Sequence, residues 1–422
     1  MVYQPEICIL WDDSQIWGLL AARAVQAMAA PYRLLRASEI ASGILERDRP
    51  SLLLVPGGSA RHKAVSLGRQ GIAAIREYVR GGGRYLGFCG GAGLALTWDG
   101  PVEGLGLCPW QRGRFDDRLQ HFMSGHLHMA LADSKELAPL VPQAMPESPL
   151  LPVWWPGRFA AERHSDVTIL ASYERPAGDF WLADLPIADL PPDTFGVWRD
   201  LYGLSFTPSF LAGQPCVVYG RHGQGEYVLS YSHMETPQSP HANRWLAHLF
   251  ETLGGVRPAQ VIVPEWPSHG RSERWEDPVL IAMNESLDAV LETGVKHGLL
   301  FRRTDWLLGW RTGIPGANLN NLWSALGAAL EHEPGPLARA FWAKHRESVG
   351  QAMELFCQGC SQYLLAERLA LTLTKVSPDA VPPGLLKVQR EALFGPPMHA
   401  DGLYRDIMGP LDELAFLQIN GQ

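Results

Sequence analysis

The segment with the clearest chemical potential is 87–93, in which Cys89 lies among small residues. A buried strand is predicted over Arg84–Phe88 and a helix over 94–98, so Cys89 is expected at a sharp strand-to-helix turn. Only small neighbours fit such a turn, which exposes a nucleophile above the sheet. The helix N-terminus would lower the pKa of the thiol and favour the thiolate. Cys89 is therefore the predicted nucleophile, the alternative being a buried structural cysteine.

A nucleophilic thiolate needs a base, and the base needs a group that orients it. Of the 14 histidines, His233 is best placed, because it follows a strand predicted over 227–231 and Glu235 lies two residues later. If that strand lies beside the strand of Cys89, all three side chains reach the same rim of the sheet. His233 is the predicted base, and the alternative is a surface histidine in a loop.

An oxyanion formed at Cys89 would need backbone N–H donors. The amide of Gly90, directly after the nucleophile, is one candidate. Gly57 and Gly58 follow another buried strand and could supply a second, since glycine lets the backbone approach a ligand closely. The alternative for this Pro-Gly-Gly segment is an ordinary tight turn.

The sequence pattern predicts that a parallel sheet positions these residues. Apolar runs that do not alternate are separated by helix-like segments, which is typical of strands covered on both faces. The predicted strands are 7–10, 32–35, 51–55 and 84–88, and the predicted helices are 16–28, 40–47 and 72–79. Ligands bind at the carboxyl ends of such strands, where Gly57 and Cys89 lie. A hairpin is predicted over 216–230, and the Pro- and Trp-rich segment 139–158 predicts long ordered loops or insertions.

Three motifs together, 55–58, 82–93 and 225–235, resemble the class I glutamine amidotransferase-like superfamily. They are most similar to its branch named for the N-terminal domain of biotin–protein ligase. The resemblance covers residues 1 to about 255. It implies an α/β fold, with a flavodoxin-like, mostly parallel sheet sandwiched by helices.

The resemblance also implies roles for the site. Cys89 would be the nucleophile, His233 the base, Glu235 the group that orients it, and the turn at 56–58 an oxyanion element. Hydrolytic amidotransferases usually carry glutamine where this chain has Gly93 and proline where it has Met234. Residues 256–422 do not resemble the ligase catalytic domain. The adenylate-binding glycine–arginine motif of the ligase is matched only by the Arg-Gly-Arg-Phe run at 112–115, which lies in the wrong domain and lacks the flanking glycines. Biotin transfer is therefore excluded.

The chain beyond the resemblance predicts a separate domain. A connector is expected over 256–277, followed by an all-helical domain of unknown role over 278–422. Asp277 reads as an N-cap with proline at the first helical position. Further helices are predicted over 319–333, 336–346, 348–375 and 401–418.

Composition restricts the classes of protein. The chain has 422 residues, 46% of them hydrophobic, and 36 basic against 44 acidic side chains give a net charge of −8. This composition excludes a disordered chain, and the absence of a basic half argues against a nucleic-acid partner. No apolar run is long enough for a membrane span, and the six cysteines with no signal sequence predict a reduced, cytoplasmic protein.

Two weaker signals concern metal binding. His126 and His128, with His121 or His62, could approach a metal, but polar strand residues are the favoured interpretation. Cys357 and Cys360 lack the second pair that a zinc site needs and are favoured as helix core. No metal and no cofactor are therefore expected.

The sequence leads to one functional prediction with two alternatives. The first is a cysteine-dependent amidotransferase-like hydrolase that cleaves a small-molecule carboxamide or related acyl group through a thioester, working with an ammonia-accepting partner enzyme. One alternative is a non-catalytic ligand-binding or regulatory module on the same fold. The other is a peptidase or small-molecule hydrolase of the superfamily.

Overall fold

The computed structural model describes residues 6–98, 102–115, 119–132, 139–162, 166–266, 273–374, 376–377, 380–396 and 401–421. The chain divides into two compact units, Met1–Glu265 and Trp266–Gln422. Part of the predicted connector, residues 267–272, lies outside the described residues.

The first unit combines strands and helices in alternation over its first hundred residues. Its strands are β1 Ile7–Leu10, β2 Tyr32–Leu35, β3 Leu52–Val55, β4 Arg84–Phe88, β5 Gln111–Arg112, β6 Met123–Leu131, β7 Leu150–Trp154, β8 Phe159–Ala160, β9 Thr168–Pro176, β10 Trp181–Leu182, β11 Leu185–Pro186, β12 Pro215–His222 and β13 Gly225–Ser230. Its α-helices are α1 Ile16–Ala27, α2 Ala37–Ala41, α3 Ile44–Asp48, α4 Ala60–Arg80, α5 Gly90–Leu94, α6 Thr194–Tyr202 and α7 Pro240–Thr252.

One sheet of 11 strands dominates this unit in the described part of the chain, with the order β11-β10-β6-β9-β12-β13-β4-β3-β1-β2 and β7 paired to β6. The half from β2 to β13 is parallel. Every residue of β1 and β3 is buried, because both faces of these strands are covered. The expected flavodoxin-like α/β fold is confirmed.

The other half of the sheet is antiparallel, and only its hairpin β12–β13, expected over 216–230, was predicted. Strands β12, β9, β6 and β10 pair antiparallel in turn, and β7 adds to β6. The prediction of loops over 139–158 is therefore wrong for Leu150–Trp154. Pro152 lies within β7, which among the described strands pairs with β6 alone. Proline is tolerated in such an edge strand because its missing N–H leaves no neighbour unpaired.

The predicted helix boundaries near the site also change. The helix expected over 94–98 instead begins at Gly90, directly after Cys89, and ends at Leu94. The helix expected over 72–79 is the second part of α4, which is interrupted at Gly68 and begins at Ala60, just beyond the Gly57–Gly58 turn.

The second unit is helical apart from one short hairpin. Its elements are α8 Pro278–Lys296, β14 Leu300–Arg302, β15 Leu308–Trp310, α9 Gly316–Glu331, α10 Pro336–Leu373, α11 Pro383–Phe394 and α12 Gly402–Asn420. The Asp277 carboxylate accepts the N–H groups of Val279 and Leu280, so the predicted N-cap is confirmed.

The prediction of an all-helical second domain is wrong at the β14–β15 hairpin, where Phe301 lies opposite Gly309 and the glycine leaves room for the ring. The two helices predicted on either side of residue 347 form the single helix α10, and α11 was missed. The Pro382-Pro383-Gly384 segment reads as a loop, but proline at the first turn also suits a helix start.

Candidate active site

Cys89 stands at the carboxyl end of β4 in an unusual backbone conformation. Its φ and ψ are 47° and −102°, a region that non-glycine residues rarely occupy. A Cβ on Gly90 would lie 2.0 Å from the carbonyl oxygen of Gly58, and one on Gly91 would lie 1.9 Å from that of Val55. Only glycine permits this close backbone approach, which produces the predicted sharp turn.

Strand pairing brings Cys89 and the predicted base to one rim. Phe88 and Ser230 are opposite each other in the parallel pair β4–β13. The Cys89 N–H donates to the carbonyl oxygen of Ser230 at 2.7 Å. The segment that follows Ser230 carries His233 and Glu235, so the expected adjacency of the two strands is confirmed.

His233 and Glu235 form a fully buried pair. Nδ1 of His233 donates to Oε1 of Glu235 at 2.7 Å. The His233 backbone N–H donates to the carbonyl oxygen of Pro152 at 2.9 Å, and the Thr236 hydroxyl donates to the His233 carbonyl oxygen. The Trp17 ring stacks against the imidazole with centroids 4.1 Å apart. The imidazole is thus fixed in position and in the tautomer with a proton on Nδ1.

Two buried polar atoms of this pair are not used in hydrogen bonds. Among the described residues, Nε2 of His233 and Oε2 of Glu235 have no hydrogen-bond partner with standard geometry. The thiol of Cys89 and the imidazole of His233 nevertheless interact, because each shifts the pKa of the other. They are coupled neighbours without a formed hydrogen bond.

The electrostatics favour a charged thiolate–imidazolium pair. Burial raises the pKa of Cys89, but the interaction with His233 and the positive charge of Arg112 outweigh it, so the pKa is lowered. Burial lowers the pKa of His233, but the Glu235 carboxylate and Cys89 outweigh it and raise the pKa to about 10. The imidazole of His233 is therefore protonated at neutral pH, and the thiolate of Cys89 forms at a lower pH than that of an ordinary thiol.

The pKa values of the other five cysteine thiols are shifted in the opposite direction. All five are buried, whereas Cys89 is half-buried. Burial raises the pKa of Cys8 and of Cys357 to about 12 and also raises the pKa of the remaining three, Cys108, Cys216 and Cys360. Cys89 is the one cysteine whose surroundings favour the thiolate.

The three glycines considered for oxyanion binding lie around this pair. The Gly58 backbone packs against Gly90, and a Cβ on Gly57 would lie 2.6 Å from Cε1 of His233. Among the described residues, the amide nitrogens of Gly57, Gly58 and Gly90 donate no hydrogen bond. The role of these N–H groups as oxyanion donors stays a prediction.

Two residues of the site were missed by sequence reasoning. Trp17 belongs to α1, whose amphipathic pattern indicates only packing. Arg112 lies in β5, and its guanidinium carbon is 5.8 Å from the centroid of the Tyr231 ring. The sole signal was the run at 112–115, whose partial likeness to a ligase motif gave no reason to place it beside Cys89.

The weaker metal candidates have other partners. Nδ1 of His126 donates to Asp179 at 2.6 Å, and Nε2 contacts the Ser239 hydroxyl at 2.7 Å. Nδ1 of His128 contacts Ser148. Within the residues described here, no three His, Cys, Asp or Glu side chains form a group suited to a metal ion.

Comparison with known proteins places the resemblance on the same segment. Residues 46–97 match the family model described as the N-terminal region of biotin–protein ligase. No curated protein sequence matches the chain. No helix in the described part of the chain is both long and apolar enough to cross a bilayer.

Three of the solved structures that are partly similar to this chain are described here by sequence identity, by the share of each chain covered and by TM-score. A protein from Thermoplasma acidophilum, named as a candidate subunit of GMP synthase, is 11% identical, over 60% of this chain and 96% of that one, with a TM-score of 0.37. PurLQS from Thermotoga maritima is 11% identical, over 55% and 89%, with a TM-score of 0.36. A glutamine amidotransferase from Thermotoga maritima is 12% identical, over 59% and 83%, with a TM-score of 0.32. Similarities of this size say nothing about activity.

The family match includes the Gly57–Gly58 turn and Cys89, whereas His233 and Glu235 lie outside it. The segment 46–97 thus resembles the biotin–protein ligase N-terminal family, as the sequence motifs indicated.

Proposed function

We propose that this protein is a cysteine-dependent, amidotransferase-like hydrolase in which Cys89, His233 and Glu235 cleave a carboxamide or related acyl group. One observation carries the proposal: the only cysteine with a lowered pKa stands at a strained turn, coupled to a buried histidine that a carboxylate orients. Perturbed pKa values in such a constellation are typical of functional sites.

The proposed reaction begins with the thiolate of Cys89. It attacks the carbonyl carbon, a C–S bond forms, and the carbonyl π electrons move to oxygen. The amides of Gly57, Gly58 and Gly90 would hold this oxyanion. When the carbonyl reforms, the C–N bond breaks and Nε2 of His233 gives its proton to the departing ammonia or amine. A thioester on Cys89 remains.

Water completes the cycle. Neutral His233 takes a proton from water as it attacks the thioester, the C–S bond breaks, and the carboxylic acid and the thiolate–imidazolium pair are restored. Glu235 stabilises each imidazolium stage without being protonated itself. Ammonia released in this way would serve an acceptor, and we propose that a partner enzyme supplies it.

Trapping the thioester tests this proposal. The full chain is incubated with a panel of small carboxamides and activated esters, quenched in acid, and mapped by mass spectrometry for an acyl group on Cys89. Glu235→Gln should reduce turnover by roughly 10³–10⁴-fold, as in serine triads whose orienting carboxylate becomes an amide. Cys89→Ser should lose the thioester, and retention of all turnover in Cys89→Ala would refute the proposal.

A specific observation favours a second candidate, the non-catalytic binding module. Nε2 of His233 forms no hydrogen bond to the thiol in the described structure. Such bonds are often long in ligand-free enzymes and tighten when substrate binds. Binding of a panel compound, seen as protection of Cys89 from alkylation, with no acyl-Cys89 formed from any of them, would favour the module.

A further inference from the structure

A positively charged side chain lies on the rim beside the nucleophile. Cys89 and Tyr231 each follow directly after a paired strand end, Phe88 and Ser230, and are therefore neighbours on the rim. The guanidinium of Arg112 lies over the Tyr231 ring, 5.8 Å from its centroid. The strand β5 that carries Arg112 pairs with β8, so its position is fixed by backbone hydrogen bonds.

Tyr231 is a rigid support for this cation. The side chain is 3% exposed, and the Phe159 ring packs against it with centroids 4.5 Å apart. Its buried hydroxyl has no hydrogen-bond partner among the described residues. The guanidinium of Arg112 thus lies over a ring that is itself held by packing.

Arg112 has no acidic partner in the described part of the chain. It is exposed, and its side chain makes the ring contact but no ion pair or hydrogen bond there. The positive charge of Arg112 helps to lower the pKa of the Cys89 thiol. Because the guanidinium donates no hydrogen bond to the described residues, its N–H groups are free, and they match a carboxylate with two parallel hydrogen bonds.

We propose that Arg112 binds a carboxylate of the substrate, so that the acyl group or amide cleaved at Cys89 belongs to an anionic compound. This inference rests on the proposed function, because it assigns the substrate class of the same site. Arg112 is a specificity-determining residue in this account, and Tyr231 positions it.

Two alkylating reagents of similar size, one anionic and one neutral, test the inference. Iodoacetate carries a carboxylate and iodoacetamide does not. Second-order rate constants at Cys89 are measured for both on the full chain by peptide mapping, at pH 7 and about 0.1 M salt, where long-range charge effects are screened. The ratio of the two constants cancels changes in thiol pKa, which affect both reagents alike.

We expect the iodoacetate-to-iodoacetamide ratio at Cys89 to exceed that of a free thiol and to fall about tenfold in Arg112→Gln. Arg112→Lys should keep part of the preference, because it keeps the charge without the fork geometry. Arg114→Gln is the matched control, since it removes an equal charge two residues away, and should leave the ratio unchanged. Thermal unfolding checks that each variant is folded.

The outcomes separate the two proposals. An unchanged ratio in Arg112→Gln, or an equal fall in Arg114→Gln, overturns the role of Arg112 and leaves the nucleophile intact. If Cys89 reacts no faster than the buried cysteines with either reagent, the proposed function fails, and the substrate assignment fails with it.

Discussion

Cys89 adopts a strained backbone conformation that its neighbours enforce. A positive φ at a non-glycine residue costs about 1–3 kcal/mol and persists only where the surroundings over-determine it. Here the Cys89 N–H is bonded to Ser230 and the Gly91 N–H to the carbonyl oxygen of Pro56. The turn is thus held by β13 on one side and by the end of β3 on the other.

Two glycines of this turn should respond differently to the same substitution. A Cβ on Gly91 would lie 1.9 Å from the Val55 carbonyl oxygen, whereas one on Gly93 would meet only the Ala60 Cβ, at 3.4 Å. Gly91→Ala should therefore destabilise the fold by about 2 kcal/mol or more. Gly93→Ala should be neutral or stabilise it by about 0.5–1 kcal/mol, because alanine favours a helix.

The measurement for this pair is denaturant unfolding, with Cys89 alkylation recorded in parallel. Gly93→Ala should keep the alkylation rate of the unmodified protein. Equal stability changes in the two variants would mean that the close approach of Gly91 to β3 does not shape the turn.

At the scale of elements, hydrogen bonds made by His126 hold the segment that carries His233; these bonds are called the clamp below. His126 of β6 binds the Asp179 carboxylate through Nδ1 and the Ser239 hydroxyl, at the start of α7, through Nε2. In the β6–β7 pair, His126 lies opposite Pro152, whose carbonyl oxygen accepts the His233 N–H. The segment 233–239 is therefore tied to β6 and β7 at both ends.

Breaking the clamp should affect both stability and reactivity. His126→Ala leaves the buried Ser239 hydroxyl without its partner and should cost about 1–3 kcal/mol of unfolding free energy. It should also slow the iodoacetamide reaction of Cys89, because His233 is less well positioned. His128→Ala, on the same strand, is the control and should cost less and leave the rate unchanged; equal effects of both variants on the rate would argue against a positioning role for His126.

The parallel half of the sheet was predictable because its strands are buried on both faces. Apolar runs such as Ile7–Leu10 and Leu52–Val55 carry this signal locally, and so does the glycine-rich turn after Phe88. Beyond the hairpin predicted over 216–230, the antiparallel half gave no such signal, since strands such as β9 mix buried and exposed positions and their pairing depends on residues far apart in sequence.

The positions of side chains that approach the site from these unpredicted elements could not be predicted either. Arg112 reaches the rim only because β5 pairs with β8, which lies about 50 residues further along the chain. His126 meets Ser239 across 113 residues. Neither contact has a periodicity or motif that sequence reasoning could detect.

At the scale of the whole molecule, all residues of the candidate site belong to the unit Met1–Glu265. The unit Trp266–Gln422 has its own core, formed by side chains of α8, α9, α10, α11 and α12 together with the β14–β15 hairpin. The chemistry proposed for Cys89 therefore draws on one unit, although the full chain is the proper material for every experiment.

The pH dependence of the reactive pair follows from the directions of its two pKa shifts. The thiolate forms as pH rises through the pKa of Cys89, which is lowered from the ordinary thiol value. His233 stays protonated until pH reaches about 10. The thiolate–imidazolium pair should thus persist from below the ordinary thiol pKa to about pH 10.

The most direct test is the rate of Cys89 alkylation by iodoacetamide across pH 5–10, with peptide mapping of all six cysteines. We expect Cys89 to react first, with an inflection below the ~8.5 of an ordinary thiol and a plateau above that inflection. In His233→Ala, the inflection should rise towards ~8.5. An inflection at or above the ordinary thiol value in the unaltered protein, or no preference for Cys89, would contradict the claim that this cysteine is an activated nucleophile.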